Sequence, residues 1–299
     1  MTKSKTYVIL LPQMSKSLFS IWKPVLSLLV KEPKVLIPFC LLAVIETFAL
    51  WFLACSPHFP INVIMAPPIK SIWGPTYLHY PYIYELLPRM FYYAKIVVGV
   101  MVGALTSGMA VLAVYYFKKS RRIDLKEIFF SVLKRYVSLF ILAIILFTCV
   151  HFVMKEPSVL LLKYFFAKHA KLFFLGPKFW FGIFLPVLQF LMAVILQSLF
   201  VYAIPYIVIK EKKFLPALIS GIVLFFKKFL KTFVAVLVPM FLYIPVTMLR
   251  SNMGLLADMF MPESIVAVLF IGIIVGTVIV DALVTLATTL IFIGATDEA

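Results

Sequence analysis

Charge is scarce in this chain, and negative charge scarcest of all. Of 299 residues, 13% are charged, with 12 Asp and Glu against 28 Lys and Arg. An ordinary soluble domain carries about 25% charged and roughly 45–50% apolar residues, whereas 64% of this sequence is apolar. Too little polar surface remains to cover a globule in water, which excludes a soluble domain. Only three cysteines occur. Cys40 and Cys149 lie inside apolar runs and Cys55 ends one, so no disulfide framework follows from them. HExxH, GxSxG, P-loop and paired cysteine-ligand patterns are all missing, so no catalytic residue, metal site or cofactor is assigned. What is abundant is large and apolar: 30 Phe, 14 Tyr, 4 Trp and a mean hydropathy of +1.10. That composition is neither disordered nor fibrous and belongs to a polytopic membrane protein.

A membrane-crossing helix needs about 20 predominantly apolar residues. Six runs qualify, at about 35–55, 96–116, 137–154, 179–203, 232–249 and 264–294. The expected fold class is therefore all-α, with six spans in a single membrane domain. Tyr7–Leu11 is too short for a signal-peptide core, so no cleaved signal is expected. An even span count places both termini on one side, and the segments on that side hold 19 Lys and Arg against 9 opposite. The positive-inside rule makes the termini cytoplasmic, in a pattern that fits a bacterial inner membrane.

Basic amphipathic stretches precede three of the runs: VLSLLVKEPKVLIPF, FFSVLKRYVSLFILA and IVLFFKKFLKTFVAV. Aligning Lys31, Lys134 and Lys227 gives steps of 103 and 93 residues. The chain thus reads as three repeats, each an interfacial helix followed by two spans. Lysines beside Phe and Leu suit the headgroup layer, where anionic lipids attract each cation by about 1 kcal/mol. Anionic headgroups are the expected partner of this charge, and nucleic acid is not, because no stacking or groove-reading element accompanies it.

Ile204-Pro205-Tyr206-Ile207-Val208, leading into Ala217-Leu218-Ile219-Ser220 and a basic helix, together with the hydropathy plan of nearly the whole chain, resembles bacterial six-span proteins related to the membrane domain of glycerophosphoryl diester phosphodiesterases. The resemblance implies a shared membrane architecture. It does not carry phosphodiesterase activity, since the chain has no additional soluble catalytic domain.

Two carboxylates fall inside the runs, Glu46 in the first and Asp281 in the sixth, with no Lys or Arg inside a run to neutralise either. A central Asp costs roughly +2.5 to +3.5 kcal/mol on insertion. Thr277, Asp281, Thr285 and Thr288 or Thr289 share one helix face, a polar stripe that must meet protein or water. Gln189 and Gln197 lie two turns apart on one face of the fourth run and suit helix-helix contact. Gly99-x-x-x-Gly103 and Gly272-x-x-x-Gly276 suit close packing within the bundle. Between the first two runs, about 56–94, an aromatic segment with proline-stiffened turns and Trp73 is expected to cap the outer face; His58, His79 and Glu85 there match no zinc spacing. The segment 158–174 is expected as a helix on the outer leaflet.

Three functions compete: handling of lipid or an amphipathic small molecule in a membrane-depth cavity lined by Glu46 and Asp281; a non-transporting assembly subunit with a membrane-protein partner; and an intramembrane lipid-modifying enzyme.

Overall fold

The computed structural model describes residues 20–168 and 185–297. The described residues form helices throughout. The first, α1 (Trp22–Lys31), turns through a 3-10 segment (Pro33–Leu36) into α2 (Ile37–Ala54). Next come α3 (Ile61–Ile72), α4 (Tyr82–Lys118), α5 (Leu125–Leu133), α6 (Tyr136–Lys168), α7 (Leu185–Phe200) and α8 (Ala203–Val208). The series closes with α9 (Phe214–Lys227), α10 (Phe229–Phe241), α11 (Ile244–Ser251), α12 (Met253–Met259) and α13 (Ser264–Asp297).

Among the described residues, four helical stretches are long and apolar enough to cross a membrane: Pro33–Ala54, Tyr82–Lys118, Pro186–Val208 and Ser264–Asp297. Two bent pairs raise the number to six if each pair is one span. In one, α5 meets α6 at 73°; in the other, α10 meets α11 at 46°. The protein is a multi-pass membrane protein. The α5 start has a plain local cause: the Asp124 carboxylate accepts the amides of Lys126 (2.9 Å) and Glu127 (3.5 Å), an N-cap that fixes where the helix begins. The α10 break follows from Pro239, which lacks the amide needed to continue the ladder, and from Pro245 at the head of α11.

Several expected boundaries move. The second span was placed at 96–116, but α4 begins at Tyr82, because Leu86, Leu87, Met90 and Phe91 are buried in a cluster with Leu50 of α2 and Leu269 of α13. Packing extends the helix past Arg89 and Lys95, where a charge-free window stops. Proline-stiffened turns were expected over 67–81, yet α3 runs through Pro67 and Pro68 to Ile72. Gly74, at φ +101°, then makes a turn that a side chain would strain. Part of the expected outer-leaflet helix, up to Lys168, is the continuation of α6; residues 169–184, including the start of the expected fourth span, lie outside the described residues.

The largest core cluster gathers around Tyr202 and Phe292, both fully buried. Two glycines set how closely its helices approach. A Cβ on Gly221 of α9 would stand 3.0 Å from the Ala203 amide nitrogen, and one on Gly108 of α4 would stand 2.8 Å from Val132. Residues 204–208 and 217–220 therefore lie on the two helices of a tight crossing.

Candidate functional site

A cavity of about 270 Å³ lies among α2, α4, α6, α7, α8 and α13. Its position follows from helix arithmetic. In Tyr82–Lys118, Pro186–Val208 and Ser264–Asp297, the lining residues Gly99, Gln197 and Asp281 sit close to the middle residue. The cavity is thus at mid-depth in three of the long helices.

Glu46 of α2 is 2% exposed. Its Oε2 accepts the Thr277 hydroxyl at 2.7 Å and lies 3.4 Å from the Lys95 ammonium. Lys95 also donates to Thr277 Oγ1 at 3.5 Å, which closes a triangle of carboxylate, ammonium and hydroxyl. An unpaired carboxylate buried in this way would carry a large desolvation cost, which the adjacent cation and hydroxyl offset. The expectation that no Lys or Arg inside a span faces these carboxylates is corrected here. Lys95 is the neutralising cation, and it sits inside the long helix α4. Gly276 makes room beside it, since a Cβ there would come within 3.7 Å of the Lys95 nitrogen and 3.1 Å of the Tyr243 ring.

Asp281 lines the same cavity and lies in the electrostatic field of Lys95 and Glu46. Among the described residues, no hydrogen bond or ion pair reaches its carboxylate. Thr285, Gln197 and Ser107 add polar edges, while Leu142, Leu146, Phe200 and Ile204 line apolar walls. A carboxylate facing space next to apolar walls can receive the charged or donating head of an amphipathic molecule.

Both flanking helices depart from α geometry here. Gly99–Gly103 in α4 and Ile274–Asp281 in α13 are π-helical, a form that accounts for well under 1% of residues and is frequent at functional sites. Residues four apart drift by about 40° per step around an α-helix of 3.6 residues per turn. A wider π turn reduces that drift. Lys95, Gly99, Gly103 and Ser107, each four apart, all line the cavity, as do Asp281 and Thr285 opposite.

The sequence-derived candidates therefore divide. Glu46, Thr277, Asp281, Thr285 and Gln197 come together. Thr288 and Thr289 instead donate to the carbonyls of Val284 (2.7 Å) and Thr285 (2.6 Å), so that end of the stripe is satisfied within its own helix. Gln189, two turns earlier on α7, does not line the cavity. Gly272 and Gly276 pack on Val246 and Tyr243, within the bundle. Trp73 packs half-buried against the cluster of Leu50, Leu86, Leu87 and Leu269, whereas His58, His79 and Glu85 are exposed. Among the described residues, no group of three His, Cys, Asp or Glu is placed to hold a metal. Lys95 and Ser107 were missed, although the four-residue spacing from Lys95 through the two glycines to Ser107 was a readable signal.

Comparison with protein-family models, with curated proteins and with solved structures finds no match to the chain.

Proposed function

We propose that this membrane protein binds an amphipathic small molecule or lipid in its mid-depth cavity, through a cationic or hydrogen-bond-donating head held at Asp281. The observation that carries the reading is the contrast between the two carboxylates. Glu46 has both a cation and a hydroxyl at bonding distance, whereas Asp281 faces the cavity with neither. A volume of about 270 Å³ falls just under the range of small-molecule sites, enough for a head and a few methylenes. The apolar residues from α6 and α7 would receive the chain.

The arrangement is also read as six spans in three units. Each unit begins with a short helix, α1, α5 or α9, that leads directly into a span. The basic ends of these short helices, Lys31, Lys134 and Lys227, would lie at the cytoplasmic headgroups of a bacterial inner membrane, with both termini on that side. Cysteine accessibility from either face of sealed vesicles tests this topology. Labelling of Lys134→Cys from the outside only would overturn it.

The binding test uses three twelve-carbon probes that differ in their heads: dodecylamine, dodecanol and dodecanoate. The amine should raise the melting temperature of the purified protein, and Asp281→Asn should abolish that shift. Equal shifts for all three probes, or an amine shift retained in the variant, would sink the reading.

A further inference from the structure

A second crevice, of about 180 Å³, opens at the end of the bundle where segments from three parts of the chain converge. Ile21 and Pro24, at the start of α1, form one wall. Lys228 and Lys231, at the start of α10, form another, and Leu290, Ile291, Gly294 and Ala295, near the end of α13, make an apolar floor. Gly294 borders open space: a Cβ built there meets nothing within 4 Å.

Lys231 is exposed and pairs with no carboxylate among the described residues. The first backbone hydrogen bond of α10 runs from Thr232 to Lys228 at 3.0 Å. The amides ahead of it face the end of the helix that attracts an acceptor. Two lysines at the rim and an apolar floor below them form an amphipathic pair of surfaces, with the floor aligned along a spanning helix.

We propose that this crevice is a specific binding site for an anionic phospholipid, with its phosphate between Lys228 and Lys231 and its upper acyl chain over Leu290, Ile291 and Gly294. It is separate from the mid-depth cavity and stands whether or not that cavity binds an amphiphile. Point charges of Lys suit a phosphate that need not be gripped in one orientation. The floor distinguishes a lipid-borne phosphate from a free one.

The test is native mass spectrometry of the full chain, delipidated in mild detergent and titrated with phosphatidylglycerol, phosphatidylcholine or inorganic phosphate. Wild type should retain one phosphatidylglycerol, bound about tenfold more tightly than phosphatidylcholine. Lys228→Gln with Lys231→Gln should remove that preference. Gly294→Leu, which fills the floor and leaves both lysines in place, should lower retention to a similar degree. A control pair away from the crevice, Lys126→Gln with Lys134→Gln, should keep it. The proposal is overturned if either crevice variant melts like wild type and retains the lipid as wild type does. It is equally overturned if the control pair loses the lipid to the same degree, or if millimolar inorganic phosphate displaces it, which would assign the lysines to a free anion.

Discussion

Two buried polar arrangements in this molecule solve the same problem in opposite ways. In the core around α8 and α10, the Tyr202 hydroxyl meets Thr232 Oγ1 at 2.6 Å, and Thr232 in turn donates to the Lys228 carbonyl at 3.0 Å. Both side chains are fully buried, and aliphatic and aromatic groups close around them. Around Glu46 the groups are charged, the helices are π-distorted and a cavity remains. Neutral groups can be satisfied one by one and sealed. A carboxylate, an ammonium and a second carboxylate leave charge over, and the packing stays open beside it. The difference teaches that cost alone does not mark a site; what marks this one is the polar group left without a protein partner.

Breaking the charged arrangement should have the largest effect. Lys95→Met leaves Glu46 buried without its cation and is expected to cost about 3–5 kcal/mol, measured by SDS titration in mixed micelles. Adding Glu46→Gln should recover much of that loss, and a double variant as unstable as the single one would contradict the pairing. Next comes the close crossing in the neutral core. Gly221→Val drives side-chain atoms toward the Ala203 and Tyr202 backbone, which cannot swing aside, and should cost about 1–3 kcal/mol in the same assay. Tyr202→Phe should cost only about 1 kcal/mol, because Thr232 keeps its carbonyl partner. Smallest in destabilisation, Asp281→Asn should cost no stability, since no hydrogen bond or ion pair is lost, while removing amine binding. A large stability loss there would mean that Asp281 is held by the fold, and the contrast between the two regions would disappear.

Much of this was legible in the sequence, for identifiable reasons. Glu46 and Asp281 stand out because a carboxylate in an apolar run is expensive, and the spacing of Thr277, Asp281 and Thr285 marks their common face. Three amphipathic stretches, each leading into an apolar run, were equally visible. Lys95 was not, because a charge-free apolar window ends at the very residue that neutralises Glu46. Nor was the separate fate of Thr288 and Thr289, since a hydroxyl that bonds its own helix has the same spacing as one that bonds a neighbour. The π stretches depend on packing between helices far apart in the chain, which local propensity does not encode. Trp73 packs against a core cluster while His58, His79 and Glu85 are exposed, a division that aromatic content alone does not tell.

Helix length carries one more consequence. At 37 and 34 residues, α4 and α13 measure about 55 Å and about 50 Å at 1.5 Å per residue, against a hydrocarbon layer of about 30 Å. Set upright, each would stand about 20 Å clear of the lipid tails, and tilt shortens that overhang. The two helices are clamped at one end by Lys119 and Asp297, 3.5 Å apart, and at the other by the cluster that joins Leu86 and Phe91 to Leu269. Contacts near both extremes therefore hold the spacing of the two walls that carry Lys95 and Asp281. Because these contacts lie near the helix ends and the cavity lies midway, a bilayer of another thickness meets the pair first as a change of tilt or overhang, away from the residues that line the cavity.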